Sequence, residues 1–166
     1  MTNKTEKRFV AFRNEGEGKI SGTIISFGDV ARIGQFSERF EPNSIELRSD
    51  VIANLMHDRT RPVARTGAGL TIEKRGDRLT AEIQLPDTVY GREARELVDA
   101  GILRGFSMEF RARKERWEDR TRIVESAELS GLGIVDIPAY SASQIEARLA
   151  EAHLPFTRLK YRRLKI

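Results

Sequence analysis

The chain has 166 residues, of which 39% are hydrophobic and 33% charged, with a net charge of +4; this suffices for one sizeable core and excludes a disordered or membrane-buried composition. The absence of cysteine excludes a disulfide framework, a thiolate zinc site and a cysteine nucleophile, and with His57 and His153 as the only histidines no metal site and no cofactor are expected. Much of the positive excess sits in Arg158, Lys160, Arg162, Arg163 and Lys165, and reads as a local tail rather than a property of the fold.

Residues 1–153 are expected to form one domain and residues 154–166 a basic tail. The polar start through Arg8 has no signal-peptide core, and no apolar run approaches the roughly 20 residues of a membrane span. The expectation is a protein that stays in the cytoplasm where it is made, without a membrane partner.

In chain order, Phe9-Val10-Ala11-Phe12 and residues 20–27 alternate β-branched or aromatic residues with small or polar ones, and predict two strands around a Glu15-Gly16-Glu17-Gly18 turn. Residues 36–40 predict a short strand, and Pro42-Asn43-Ser44 a helix start before Ile45. Residues 51–58 are an apolar segment that delivers His57 at its end. Period-two alternation continues through residues 62–65, 70–73 and 79–85, with turns at Gly67-Ala68-Gly69 and Arg75-Gly76-Asp77, as in an antiparallel meander. Ala94, Leu97 and Val98 recur at helical spacing, with Asp87 or Thr88 as cap and Gly101 as stop.

Residues 103–113 return to period two, with Phe106, Met108 and Phe110 on one face and Ser107, Glu109 and Arg111 on the other. Their hairpin partner is expected over residues 122–129, beyond a turn at Trp117-Glu118-Asp119-Arg120. Pro138 argues for a strand end or an edge after Leu132-Gly133-Ile134-Val135, and residues 143–152 predict a terminal helix. The sum is an α+β chain, mainly β: an antiparallel barrel of about seven to eight strands surrounded by helices.

Two residues suggest chemistry. Imidazole titrates near neutrality, which makes His57 a candidate base; a half-buried histidine satisfied by a neighbour is the structural alternative. Ser107 is inert without such a base. It follows Gly105-Phe106, however, and a glycine inside a strand often marks the close backbone approach that an oxyanion site or a substrate strand requires. His153 lies beside Pro155, near the end of the chain.

Four blocks together resemble a family. Asn54-Leu55-Met56-His57-Asp58, then Leu85-Pro86-Asp87-Thr88 with Gly91, then Gly101-Ile102-Leu103-Arg104-Gly105-Phe106-Ser107-Met108-Glu109-Phe110, then Val135-Asp136-Ile137-Pro138-Ala139-Tyr140 are similar to the prohead proteases of tailed bacteriophages, in that family's order and spacing. The resemblance spans roughly residues 9–147. It implies a fold related to the herpesvirus assembly protease, a serine nucleophile that maps to Ser107, and a histidine base that maps to His57. It also implies a role inside the immature capsid of a phage-infected bacterium, digesting the internal scaffold or the scaffold-like N-terminal segment of the major capsid protein, and commonly the protease itself. Capsid protein and scaffold are then the partners, and an oligomer is expected by analogy with herpesvirus enzymes that dimerise.

A third member is less defined. The herpesvirus relatives orient the base with a second histidine, which this chain lacks in range, so either a carboxylate substitutes or the site is a dyad. Glu128 is favoured, with Glu125 and Asp136 as alternatives. Pairing across a turn centred near Glu118 sets Ser107 opposite Glu128 or Leu129, and one residue of register decides which face Glu128 takes. Asp58 is expected to point away from His57 and hold its loop. Arg65 and Arg104 are conceivable nearby cations, and Trp117 a contact for substrate or for the hairpin. Two competing readings are a non-enzymatic capsid-assembly module on the same barrel and a nucleic-acid-binding barrel acting through the basic tail; nucleic acid is the less expected partner, because aromatic interleaving and a phosphate-cradling glycine loop are absent.

Overall fold

The computed structural model describes residues 5–136. It contains the strands β1 (Glu6–Ala11), β2 (Arg13–Gly16), β3 (Lys19–Ser26), β4 (Val30–Ile33), β5 (Phe36–Phe40), β6 (Ile45–Leu55), β7 (Pro62–Thr66), β8 (Gly69–Arg75) and β9 (Arg78–Gln84), the helix α1 (Val89–Asp99), and the strands β10 (Gly105–Glu118) and β11 (Thr121–Val135). Nine strands follow one hydrogen-bonded path, β1-β10-β11-β6-β7-β8-β9-β3-β2, with β5 joined to β11 and β4 to β5.

The two ends of that path, β1 and β2, are consecutive in the chain and separated by Phe12 alone. One segment therefore edges both ends, and the sheet curls into a nearly closed barrel. Gly22 of β3 marks the seam: a side chain there would stand 3.1 Å from the Ala11 carbonyl oxygen. Phe106, Phe110, Leu132, Ile134, Ala53 and Leu55 fill the interior with Ile20, Ile24 and Ile83, none more than 2% exposed. Each large aliphatic or aromatic side chain so buried contributes about 1.5–3 kcal/mol.

Several expectations change. The expected count of about seven to eight strands rises to eleven among the described residues, in part because β2 and β4, of four residues each, are too short to alternate visibly. The sheet is not wholly antiparallel: β11 runs parallel to β5 and β6, and β7 to β8. Alternation reports which face a side chain takes and carries no record of the partner's direction. The helix start before Ile45 is a turn into β6. Asn43 adopts φ +64, the Ser44 N–H donates to the Glu41 carbonyl at 3.0 Å, and Ile45 then pairs with Ala127.

Among the described residues α1 is the one helix, so the described barrel has no ring of helices around it. Thr88 caps α1, its hydroxyl accepting from the Gly91 N–H at 3.2 Å, and Gly91, Ala94 and Val98 form its buried stripe. Any side chain at Gly91 would collide with the Pro86 carbonyl. Gly101, at φ +71, follows the end of the helix. The helix expected over residues 143–152, together with Pro138, His153 and the basic tail, lies outside the described residues.

Candidate active site

Residues directly opposite one another on paired strands share one face of a sheet, and the β1-β10-β11-β6 segment, antiparallel up to β11 and parallel from β11 to β6, uses this to build a row. Phe9 of β1 faces Ser107 of β10, Ser107 faces Gly133 of β11, and Gly133 faces Asn54 of β6. A second row lies beside it: Lys7, Glu109, Gly131 and Ile52. Phe106, Met108 and Phe110 turn the other way, into the core, as their period predicts.

His57 reaches this face from the turn that ends β6. The Asp58 N–H donates to the Leu55 carbonyl at 2.8 Å, and the two central residues, Met56 and His57, lie at φ +51 and φ +61. Neither is a glycine, so the left-handed backbone costs free energy that the surroundings must offset. The Met56 N–H extends the ladder onto β11, donating to the Ile134 carbonyl at 3.0 Å. Asp58 turns toward its own loop, accepting from the Thr60 N–H at 2.9 Å and the Thr60 hydroxyl at 2.6 Å.

From this turn the imidazole bridges two side chains of β10. Its Nε2 lies 2.6 Å from the Ser107 hydroxyl and its Nδ1 3.0 Å from Glu109 Oε1. A carboxylate only accepts, so Nδ1 carries the proton of the neutral ring and Nε2 is left as the acceptor facing Ser107. Ser107 is fully buried, and the side chains of His57 and Glu109 are 10% and 14% exposed.

Glycine makes this packing feasible. A side-chain carbon on Gly133 would lie 2.7–2.9 Å from three atoms of the His57 ring, and one on Gly131 would lie 2.7 Å from Glu109 Oε2. The ring and the carboxylate occupy the space that side chains on β11 would take. Burial lowers the pKa of His57, the charge of Lys7 lowers it further, and the charge and hydrogen bond of Glu109 oppose both; the balance favours neutral imidazole.

It is thus Glu109, and not Glu128, whose carboxylate meets His57. The β10–β11 turn is centred between Asp119 and Arg120, with Glu118 opposite Thr121, and register irregularities follow along the ladder. Each residue by which a turn centre moves shifts every partner by two. Ser107 accordingly faces Gly133, while Glu128 faces Arg111 and is held by Arg48 and Arg113. The hydrogen bond from Arg113, with help from Arg48, keeps the Glu128 carboxyl below the usual carboxylate range.

The other candidates are likewise engaged elsewhere. Glu125 pairs with Lys114 at 2.8 Å and Arg116 at 2.9 Å, and Asp136 with Arg104 at 3.6 Å. Arg65 pairs with Asp50 at 2.7 Å. Trp117 lies within β10 rather than in a turn and packs edge-on against Phe36, with ring centroids 5.4 Å apart. The signal for Glu109 was its phase, two residues beyond Ser107 on the same strand face.

A family model described as caudovirus prohead serine protease matches residues 4–155. The chain belongs to that family. No curated protein and no solved structure matches this chain.

Proposed function

We propose that Ser107, His57 and Glu109 are the catalytic triad of a serine endopeptidase that matures phage capsids. The line from Ser107 Oγ to His57 Nε2 at 2.6 Å, and from Nδ1 to Glu109 at 3.0 Å, carries the reading. Membership of the prohead serine protease family supports it.

In the mechanism that follows, Nε2 takes the Ser107 proton as Oγ attacks a peptide carbonyl, and returns it to the leaving amine when the tetrahedral intermediate collapses. Glu109 holds the ring in the tautomer that accepts at Nε2 and stabilises the imidazolium while it exists. Water, deprotonated by the same nitrogen, then releases the acyl group and restores Ser107. The substrates on this reading are the internal scaffold, the scaffold-like N-terminal segment of the major capsid protein and the protease itself, cleaved inside the assembling prohead.

Co-expression with the matching capsid and scaffold proteins tests the proposal. Shortened products are expected with the wild type, and Ser107→Ala or His57→Ala should lower the cleavage rate by about 10³–10⁶-fold. Full cleavage by both variants would overturn the assignment. Co-assembly of the wild type without any cleavage would favour a non-enzymatic assembly module instead.

A further inference from the structure

Strand β1 is held from both faces, and the two attachments differ in kind. On the core face Glu6 and Arg8 enter an ion cluster with Glu38, Glu115 and Arg122. Arg8 clasps Glu38 through Nε at 2.6 Å and Nη2 at 2.5 Å, and Arg122 clasps Glu6 through Nη1 at 2.5 Å and Nη2 at 2.6 Å. Arg122 also reaches Glu38 at 3.1 Å and Glu115 at 2.8 Å. Glu38 is 2% exposed and Arg122 5%. Two-point pairs of this kind set orientation as well as distance, so the cluster fixes the register and rotation of β1.

Between these two residues Lys7 points the other way, onto the site face. It stands directly opposite Glu109, with its Nζ 3.5 Å from Oε1, the oxygen that also faces His57 Nδ1. Among the described residues, the ion pairs of Glu109 are with Lys7 and His57. The other groups nearby are turned elsewhere or carry no charge, except Arg111, which is charged, forms no ion pair with Glu109 and has a buried Nε without a hydrogen-bond partner among the described residues. Arg111, next on the same face of β10, lies opposite Glu128; Asp58 is turned to Thr60; β11 contributes Gly131 and Gly133, and β6 contributes Asn54 and Ile52.

We propose that Lys7 is a positioning residue for the triad, holding the Glu109 carboxylate against His57 from a strand whose placement is set by the ion cluster on its opposite face. The inference rests on the triad proposed above and adds a fourth member to it. Lys7 acts twice. It restrains Glu109, and as a nearby cation it disfavours the imidazolium, consistent with the lowered pKa of His57. Replacing it with an uncharged side chain removes a repulsion from protonated His57 and leaves Glu109 to that ring alone. Both changes make His57 easier to protonate.

The experiment is a proton NMR titration of the His57 ring in the full chain, assigned with His57→Gln and compared among wild type, Lys7→Met and Lys7→Arg. Lys7→Met should raise the His57 midpoint by about half a pH unit at low salt, with a smaller shift at 1 M salt, and Lys7→Arg should restore most of it. The rate at which a fluorophosphonate labels Ser107 should lose its acid limb at correspondingly higher pH in Lys7→Met, with labelling abolished in Ser107→Ala. An unmoved midpoint in Lys7→Met overturns the inference, as does a rate reduced equally at every pH. Labelling that persists in Ser107→Ala overturns the triad instead, and the titration still reports on Lys7.

Discussion

Glu109 and Glu128 lie on the same face of the β10–β11 ladder, each against basic side chains, yet they are chemically different groups. Glu128 sits between Arg48 and Arg113, opposite Arg111. Guanidinium keeps its proton at any pH a protein survives, so that ion pair is permanent and has no proton to pass on. Glu109 faces an imidazole whose other nitrogen touches a buried hydroxyl, above two glycines that leave room for both side chains. The comparison teaches that a carboxylate takes part in acid–base chemistry through its partner and through the space made for that partner, more than through its own charge.

The sharpest way to break this contrast is Glu109→Gln. The amide keeps the shape but can donate to Nδ1, which favours the tautomer that presents a proton to Ser107, and the cleavage rate should fall by about 10³–10⁴-fold with the fold retained. Cleavage near the wild-type rate, in a variant shown by circular dichroism to be folded, would remove Glu109 from the triad. A smaller loss is expected for Gly133→Ala. The added methyl must push the imidazole off its seat, and displacement of about 1 Å costs about 10²-fold; a crystal structure of the variant should find His57 Nε2 beyond hydrogen-bond range of Ser107. Should the ring stay in place at full activity, the glycine floor would have no mechanistic meaning. The smallest effect belongs to Glu128→Gln, where an exposed ion pair is replaced by a polar one and the cleavage rate should stay within about twofold of wild type. A large loss there would erase the distinction between the two carboxylates.

The faces of the sheet are legible in the sequence, and two of the three residues proposed above as the triad, Ser107 and His57, stand among its candidates. Period-two phasing sorted Phe106, Met108 and Phe110 from Ser107, Glu109 and Arg111, because alternation is a property of the strand itself. Phase alone does not single out Glu109, because its contact with His57 depends on the turn that carries the imidazole over β10, which no residue pattern on β10 records. The hairpin is where the residue pattern and the structure differ. A turn placed near Glu118 instead of at Asp119-Arg120, together with irregularities that no residue pattern announces, carried the partner of Ser107 from Gly133 to Glu128 or Leu129. The helix start before Ile45 failed for a related reason: Pro-Asn-Ser serves turns as readily as caps, and only the pairing of Ile45 with Ala127 decides between them.

What the sequence determined by itself was local. The absence of cysteine excluded whole classes of chemistry, the alternation specified a mainly β protein, and four short blocks pointed to the prohead proteases, to which the chain belongs. Tertiary structure decided everything that depends on two strands meeting. Parallel pairing of β6 with β11 set Asn54 beside Gly133 and brought the left-handed turn of His57 over it. Antiparallel pairing of β1 with β10 set Lys7 opposite Glu109. Phase along a strand is written in its own side chains, whereas register between strands is a compromise among turns, bulges and buried contacts far apart in the chain, and the candidate site is built from register.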